Sequence, residues 1–178
     1  TDGRGFVKAL RKVIEPNRKN VVLFGAGGAA RSVGVELALA GASQITIVNR
    51  TPARGTELAQ LIREKTPASA DFEPWTCNFP LPKETHIVVN ATSIGLYPNI
   101  NQHLDFDIET LTAEMIVADG IHNPPVTPFI RTAKLRGCKV IDGLDMLVYQ
   151  GEIGIHYWTG INVDTTIMRT TLDRIFSP

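Results

Sequence analysis

The chain has 178 residues, with 18 Lys and Arg against 18 Asp and Glu and 43% hydrophobic residues. That length has room for one α/β domain and a few appended helices, not for two full domains. Zero net charge and a pI near 6.8 leave no electrostatic footprint for nucleic acid or an anionic membrane, and no apolar run is long enough to cross a bilayer.

The opening residues Thr1 to Gly5 are too polar for a secretory signal. Cys77 and Cys138 lie far apart without a CxxC pattern and read as reduced thiols, so a cytoplasmic setting is expected. His86, His103 and His156 share no ligand-like spacing, and no metal is expected. The chain starts without Met, as a processed chain or a fragment does.

In chain order, Gly5 to Ile14 forms a short amphipathic helix with Phe6, Leu10, Val13 and Ile14 on one side. Asn20 to Phe24, Gln44 to Val48, His86 to Asn90 and Met115 to Asp119 are continuous apolar runs rich in β-branched residues. Unbroken hydrophobicity is what strands covered on both faces require, so these runs predict parallel strands. Gly28 to Leu39 predicts a helix stopped at Gly41. Thr51 and Pro52 predict an N-cap hydroxyl and an N1 proline for a helix running to about Lys65.

A strand is expected around Ala70 to Trp75, then proline-bearing loops over Asn78 to Glu84 and Leu96 to Asp107. A helix over Val126 to Arg136 and a last short strand over Lys139 to Ile141 complete the alternation. Gly143 to Trp158 and Val163 to Ile175 have helical spacing with no strand after them, and should pack outside the βα pattern. The predicted class is a Rossmann-like, doubly wound α/β fold with a mostly parallel sheet and appended C-terminal helices. One domain divides into an N-terminal helix (5–15), a core (19–142) and C-terminal helices (143–178).

Gly25-Ala26-Gly27-Gly28-Ala29-Ala30 lies between the first strand and its helix, the GxGxxA form of the dinucleotide fingerprint. Gly25 serves the tight turn and Gly27 the close approach of a pyrophosphate to backbone, while the helix N-terminus faces the anion. At the end of the second strand an NAD-binding domain carries an acid for the ribose diol; here Asn49-Arg50-Thr51 stands there, with Arg54 beyond. Neutral, guanidinium and hydroxyl groups form an anion site, so NADP is the expected cofactor. Asn90-Ala91-Thr92-Ser93-Ile94-Gly95 follows the next core strand at the carboxyl edge and joins the cofactor cleft.

Together these motifs resemble the shikimate/quinate dehydrogenase family over nearly the whole chain. The matching segments are Thr1-Asp2-Gly3 with Gly5-Phe6, Gly25 to Arg31, Asn49-Arg50-Thr51 with Arg54, and Asn90-Ala91-Thr92-Ser93 with Gly95. Asn123-Pro124 with Thr127-Pro128, Asp142-Gly143 with Met146-Leu147-Val148 and Gln150, and Trp158-Thr159-Gly160 also match.

The resemblance implies hydride transfer between NADP(H) and the carbonyl of 3-dehydroshikimate. Asp2 falls on the Asp of the acid/base dyad and also on the substrate side, and Gln150 on a residue that binds substrate hydroxyls. Gly25, Ala26, Gly27, Gly28, Ala29, Asn49, Arg50, Thr51, Arg54, Ala91, Thr92, Ser93, Gly143 and Met146 fall on cofactor positions. The family's N-terminal substrate domain, which supplies the dyad's Lys, has no counterpart before Thr1, and the C-terminal helices are expected to pack on it. In its absence their apolar surface invites a homodimer.

Where the family commonly has Tyr before Asn-Pro, this chain has His122, which opens the substrate choice to quinate or another cyclitol acid. A non-catalytic NADP-binding regulatory module is the reading from a different class.

Overall fold

A computed structural model describes residues 1–176. Six strands form one parallel sheet: β1 (Asn20–Phe24), β2 (Gln44–Asn49), β3 (Ser69–Pro74), β4 (Ile87–Asn90), β5 (Ile116–Asp119) and β6 (Lys139–Ile141). Their order is β3-β2-β1-β4-β5-β6, and every neighbouring pair is parallel. The chain order therefore reverses between β1 and β4, and the crevice at their carboxyl ends is where an open α/β sheet takes a ligand.

The helices are α1 (Asp2–Leu10), α2 (Gly28–Leu39), α3 (Pro52–Lys65), α4 (Pro128–Leu135), α5 (Gly143–Thr159) and α6 (Thr165–Phe176). Alternation along the strands divides the core into two layers. Val21 and Leu23 face α1, α2, α3 and the first half of α5. Val22 and Phe24 face α4 together with Phe79, Leu81, Leu104 and Leu111 from the long connections. One face of the sheet is thus covered by four helices, and the other by one helix and two loops.

Two expectations need correction. The first helix begins at Asp2 rather than Gly5 and ends at Leu10 rather than Ile14. Its glycines weaken a helical pattern in the sequence, yet packing requires them: a Cβ on Gly3 would lie 2.2 Å from Ser32 O, and one on Gly5 2.6 Å from Gln150 N. The C-terminal helices also do not both leave the core. Leu144, Met146, Val148 and Tyr149 of α5 are buried, and Met146 and Tyr149 belong to the sheet's own core. Only α6 stands apart, packed on α5 with no buried residue.

Candidate functional site

The carboxyl ends of β1, β2, β4 and β5 open into one cleft of about 440 Å³. Gly25, Ala26, Gly27, Gly28, Ala29, Asn49, Arg50, Arg54, Ala91, Thr92 and Ser93 all line it, so three sequence segments converge on one space. Trp75, Leu96, Gly120, Ile121 and His122 complete the lining. Arg50, Trp75 and Ser93 also border an adjoining cavity of about 580 Å³ that reaches Gln102, His103 and Asp105.

Glycine shapes the floor of the cleft. Gly25 has φ of 111°, and a Cβ there would lie 2.8 Å from Ala91 O, so the β1 turn can press against the β4 loop only with no side chain. Gly27 and Gly28 differ: a Cβ on either meets no protein atom within 4 Å. They border open space at the start of α2, where Gly27 is the N-cap and no side chain caps the helix. Free N–H groups and the positive end of the helix dipole therefore face the cleft.

A second helix N-terminus lies at the cleft's far side. Thr51 holds the N-cap position of α3 with Pro52 at N1, as expected, but its hydroxyl makes no capping hydrogen bond. Thr51 is exposed and outside the cleft lining, and its carbonyl accepts from Asn49 Nδ2 at 2.9 Å. Arg50 and Arg54 add two exposed cations. Among the described residues that line the cleft none is acidic, so beside Arg50 and Arg54 its field favours an anion.

The β4 loop is ordered from within. Asn90 is fully buried, and its Oδ1 accepts from Thr92 N at 3.0 Å and from Thr92 Oγ1 at 2.7 Å. Thr92 Oγ1 in turn accepts from Ile94 N at 3.0 Å. Thr92 therefore shapes the turn with its hydroxyl, and Ser93 is the exposed polar side chain of the segment.

Other sequence-derived candidates lie elsewhere. Gly143 is buried at the start of α5, where a Cβ would lie 2.1 Å from Ile121 O and 2.8 Å from His122 N. It sets the position of the β5 loop and does not itself line the cleft. Met146 borders a small cavity of about 40 Å³ behind the cleft, with Phe6, Ala91 and Thr92. Asp2 is exposed at the first turn of α1, and Gln150 is half-buried on α5. Gly5 packs against Gln150 where α1 meets α5, and Asp2 lies three residues earlier on α1.

Sequence reasoning did not single out Trp75 or Asp119. Trp75 follows β3, with its ring centroid 5.0 Å from that of Phe24 and its indole N–H donating to Asp105 O at 2.7 Å. Asp119 closes β5 and is 1% exposed. An acid ending a wholly apolar strand was the available signal for it. Burial pushes its carboxyl up to about 6, against the opposing effect of hydrogen bonds from Thr127, Ile121 and Asn90.

Known proteins resemble this chain over nearly its whole length. A family model described as shikimate/quinate 5-dehydrogenase matches residues 8–131, and one described as the shikimate 5'-dehydrogenase C-terminal domain matches residues 143–172. The chain belongs to the shikimate/quinate dehydrogenase family. It is 44% identical over 179 residues to a shikimate dehydrogenase (NADP(+)) of Desulforamulus reducens, covering 98% of this chain and 61% of that protein.

Among solved structures, ligand-free 5-ketofructose reductase of Gluconobacter sp. strain CHM43 superposes with a TM-score of 0.95 at 49% identity, over 99% of this chain and 63% of that one. Shikimate 5-dehydrogenase of Thermus thermophilus, in complex with NADP(H) and shikimate, gives 0.80 at 31% identity, over 97% of this chain and 61% of that one. This member of the family thus spans a little over 60% of the length of these relatives. Among the described residues, no helix is long and apolar enough to cross a membrane.

Proposed function

We propose that this chain is the NADP-binding portion of a dehydrogenase that moves a hydride between NADP(H) and the C=O/CH–OH pair of 3-dehydroshikimate and shikimate. The observation that carries this reading is an acid-free cleft in which the N-terminus of α2, open space over Gly27 and Gly28, and the guanidinium groups of Arg50 and Arg54 converge. A pyrophosphate fits the uncapped start of α2, and a 2′-phosphate fits Arg50, Arg54 and the uncapped hydroxyl of Thr51. Named relatives that use NADP support the same cofactor.

When bound, the nicotinamide would supply or accept the hydride. The chain's own residues hold it: Ala91, Ser93, Ile121 and His122 wall the cleft beyond the phosphates. Asp2 is the chain's proposed proton donor and acceptor for the developing alkoxide, and Gln150 its proposed partner for substrate hydroxyls. The family resemblance puts the dyad's Lys outside these 178 residues. Turnover in this reading needs that group.

A second reading concerns the substrate. The 49% identity to a 5-ketofructose reductase, together with His122 in place of the family's usual Tyr, supports a ketose as the alternative substrate to the cyclic acid. An imidazole presents two ring nitrogens where a phenol presents one hydroxyl, and its reach is different.

The same proposal includes a cytoplasmic setting and a homodimer through the exposed Tyr157, Trp158, Ile161 and Ile167. Sedimentation of the chain tests the dimer. Titration calorimetry with NADPH and NADH, on this chain and on Arg50→Ala, tests the cofactor. Preference for NADPH that the variant loses supports the reading; no binding of either nucleotide overturns it. Assaying the full-length gene product with shikimate, quinate and 5-ketofructose then decides the substrate.

A further inference from the structure

Among the described residues four polar side chains are buried, and three of them, Asn90, Asp119 and Thr127, meet at one point behind the cleft. Asn90 and Asp119 face each other as register partners at the ends of β4 and β5. Asn90 Nδ2 donates to Asp119 Oδ1 at 3.0 Å, and the backbone N–H of Ile121 donates to the same oxygen at 3.0 Å. Thr127 Oγ1 donates to Asp119 Oδ2 at 2.6 Å and accepts from Ile130 N at the start of α4. With Asn90 also ordering Thr92 and Ile94, one carboxylate ties together the β4 and β5 loops that line the cleft.

A buried carboxylate costs several kcal/mol unless its lone pairs are satisfied, and a well-packed apolar group of similar size would often serve stability as well. The chain nevertheless places its buried charge where Thr92, Ile121 and His122 enter the cleft. We infer that Asp119 is a positioning residue for the nicotinamide half of the site, holding the β4 and β5 loops in the binding arrangement through Asn90, Ile121 and Thr127. This rests on the dinucleotide reading above.

Protonation is the natural way to loosen this tie. A proton on Oδ2 would face the hydroxyl hydrogen of Thr127, so one of the two must turn away. The carboxyl sits at about 6, chiefly because it is buried. Around it β4 presents Asn90 and α4 presents Thr127, neither of which titrates, while the β5 loop carries His122 directly after Ile121. The charge acting on it through space is Asp142 before α5, itself paired with Arg169 of α6 at 2.7 Å. A 2′-phosphate titrates in the same range, so NADH is the probe for the pH profile.

The test uses this chain, its Asp119→Asn variant, and Thr127→Val, which removes one donor while keeping the carboxylate. The expected result for Asp119→Asn is an approximately tenfold rise in Kd for both NADPH and NADH, with their ratio unchanged because Arg50 and Arg54 set it. The wild-type affinity for NADH should fall as pH drops through about 6, and this step should be missing from the profile of the variant. Without nucleotide, the amide resonances of Ile121 and Thr92 should titrate together in the wild type and not in Asp119→Asn.

Unchanged Kd values in both variants, or separate titration of the two amides, would overturn the inference. Should Asp119→Asn fail to fold, Thr127→Val must show the rise in Kd alone. If neither nucleotide binds the wild type, the dinucleotide reading fails, and the amide titration decides the coupling by itself.

Discussion

Arg50 and Trp75 leave neighbouring strands at the same level and line the same cleft. Asn49 pairs with Pro74 in the β2–β3 register, so the next residue of each strand emerges at one edge. The indole is held by Phe24 and by its bond to Asp105 O, which leaves a fixed aromatic wall beside a cation.

That wall makes Trp75 a reporter. The chain has two tryptophans, and Trp158 is 85% exposed at the end of α5, away from the cleft. Reduced dinucleotide should quench tryptophan emission and show energy transfer in Trp158→Phe, while Trp75→Phe should lose both. Quenching that survives in Trp75→Phe and disappears in Trp158→Phe would place the nucleotide elsewhere.

The sheet was legible because parallel strands covered on both faces are written as unbroken apolar runs, such as Asn20 to Phe24 and Ile87 to Asn90. The cleft's phosphate side was legible because Gly25 to Ala30 is a local motif, contained in one turn. What escaped depends on pairing between distant residues. Gly3 and Gly5 read against a helix until Ser32 and Gln150 are seen against them. Asn90 and Asp119 are 29 residues apart, and only the β4–β5 register joins them. Arg169 bonding to Asp142 escaped for the same reason.

Asp119 should leave a signature in stability against pH. Its folded carboxyl is raised from 3.8 to about 6, so between those values the folded chain holds a proton that the unfolded chain has released. Stability from this group therefore rises as pH falls through 6 and is complete below about 4. Relative to Asp119→Asn, the wild type should gain up to about 3 kcal/mol between pH 8 and 4. Urea unfolding of both proteins across that range measures the difference, and a gap independent of pH would contradict it.

Arg169 fastens α6. Its guanidinium donates to both carboxylate oxygens of Asp142 at 2.9 and 2.7 Å, and it also pairs with Asp145 at 2.9 Å and Asp173 at 3.0 Å. Asp142 caps α5 through the N–H groups of Leu144 and Asp145, so the cluster joins the start of α5 to α6. Because α6 buries no residue, Arg169→Met should cost about 1–2 kcal/mol, after allowing for partial solvent screening. Hydrogen exchange should accelerate over Thr165–Phe176 more than over the sheet. Equal acceleration across both would mean a global rather than a local effect.

Three glycine-to-alanine changes should separate folding from binding. At Gly143 the new methyl would lie 2.1 Å from Ile121 O, and backbone on both sides resists movement; a loss of about 3 kcal/mol or more is expected, with weakened nucleotide binding as the β5 loop shifts. At Gly25 the positive φ and the 2.8 Å approach to Ala91 O should cost about 1–3 kcal/mol. Gly27 is different, with φ of −86° and open space around the new methyl. There the poorer N-cap and the stiffer unfolded chain roughly offset, and stability should stay within about 0.5 kcal/mol. The methyl nevertheless occupies the position where a pyrophosphate would approach the backbone, so NADPH affinity should fall at least tenfold. Thermal melts and calorimetry on the three variants decide the matter: Gly27→Ala binding NADPH as tightly as the wild type would move the pyrophosphate away from the start of α2.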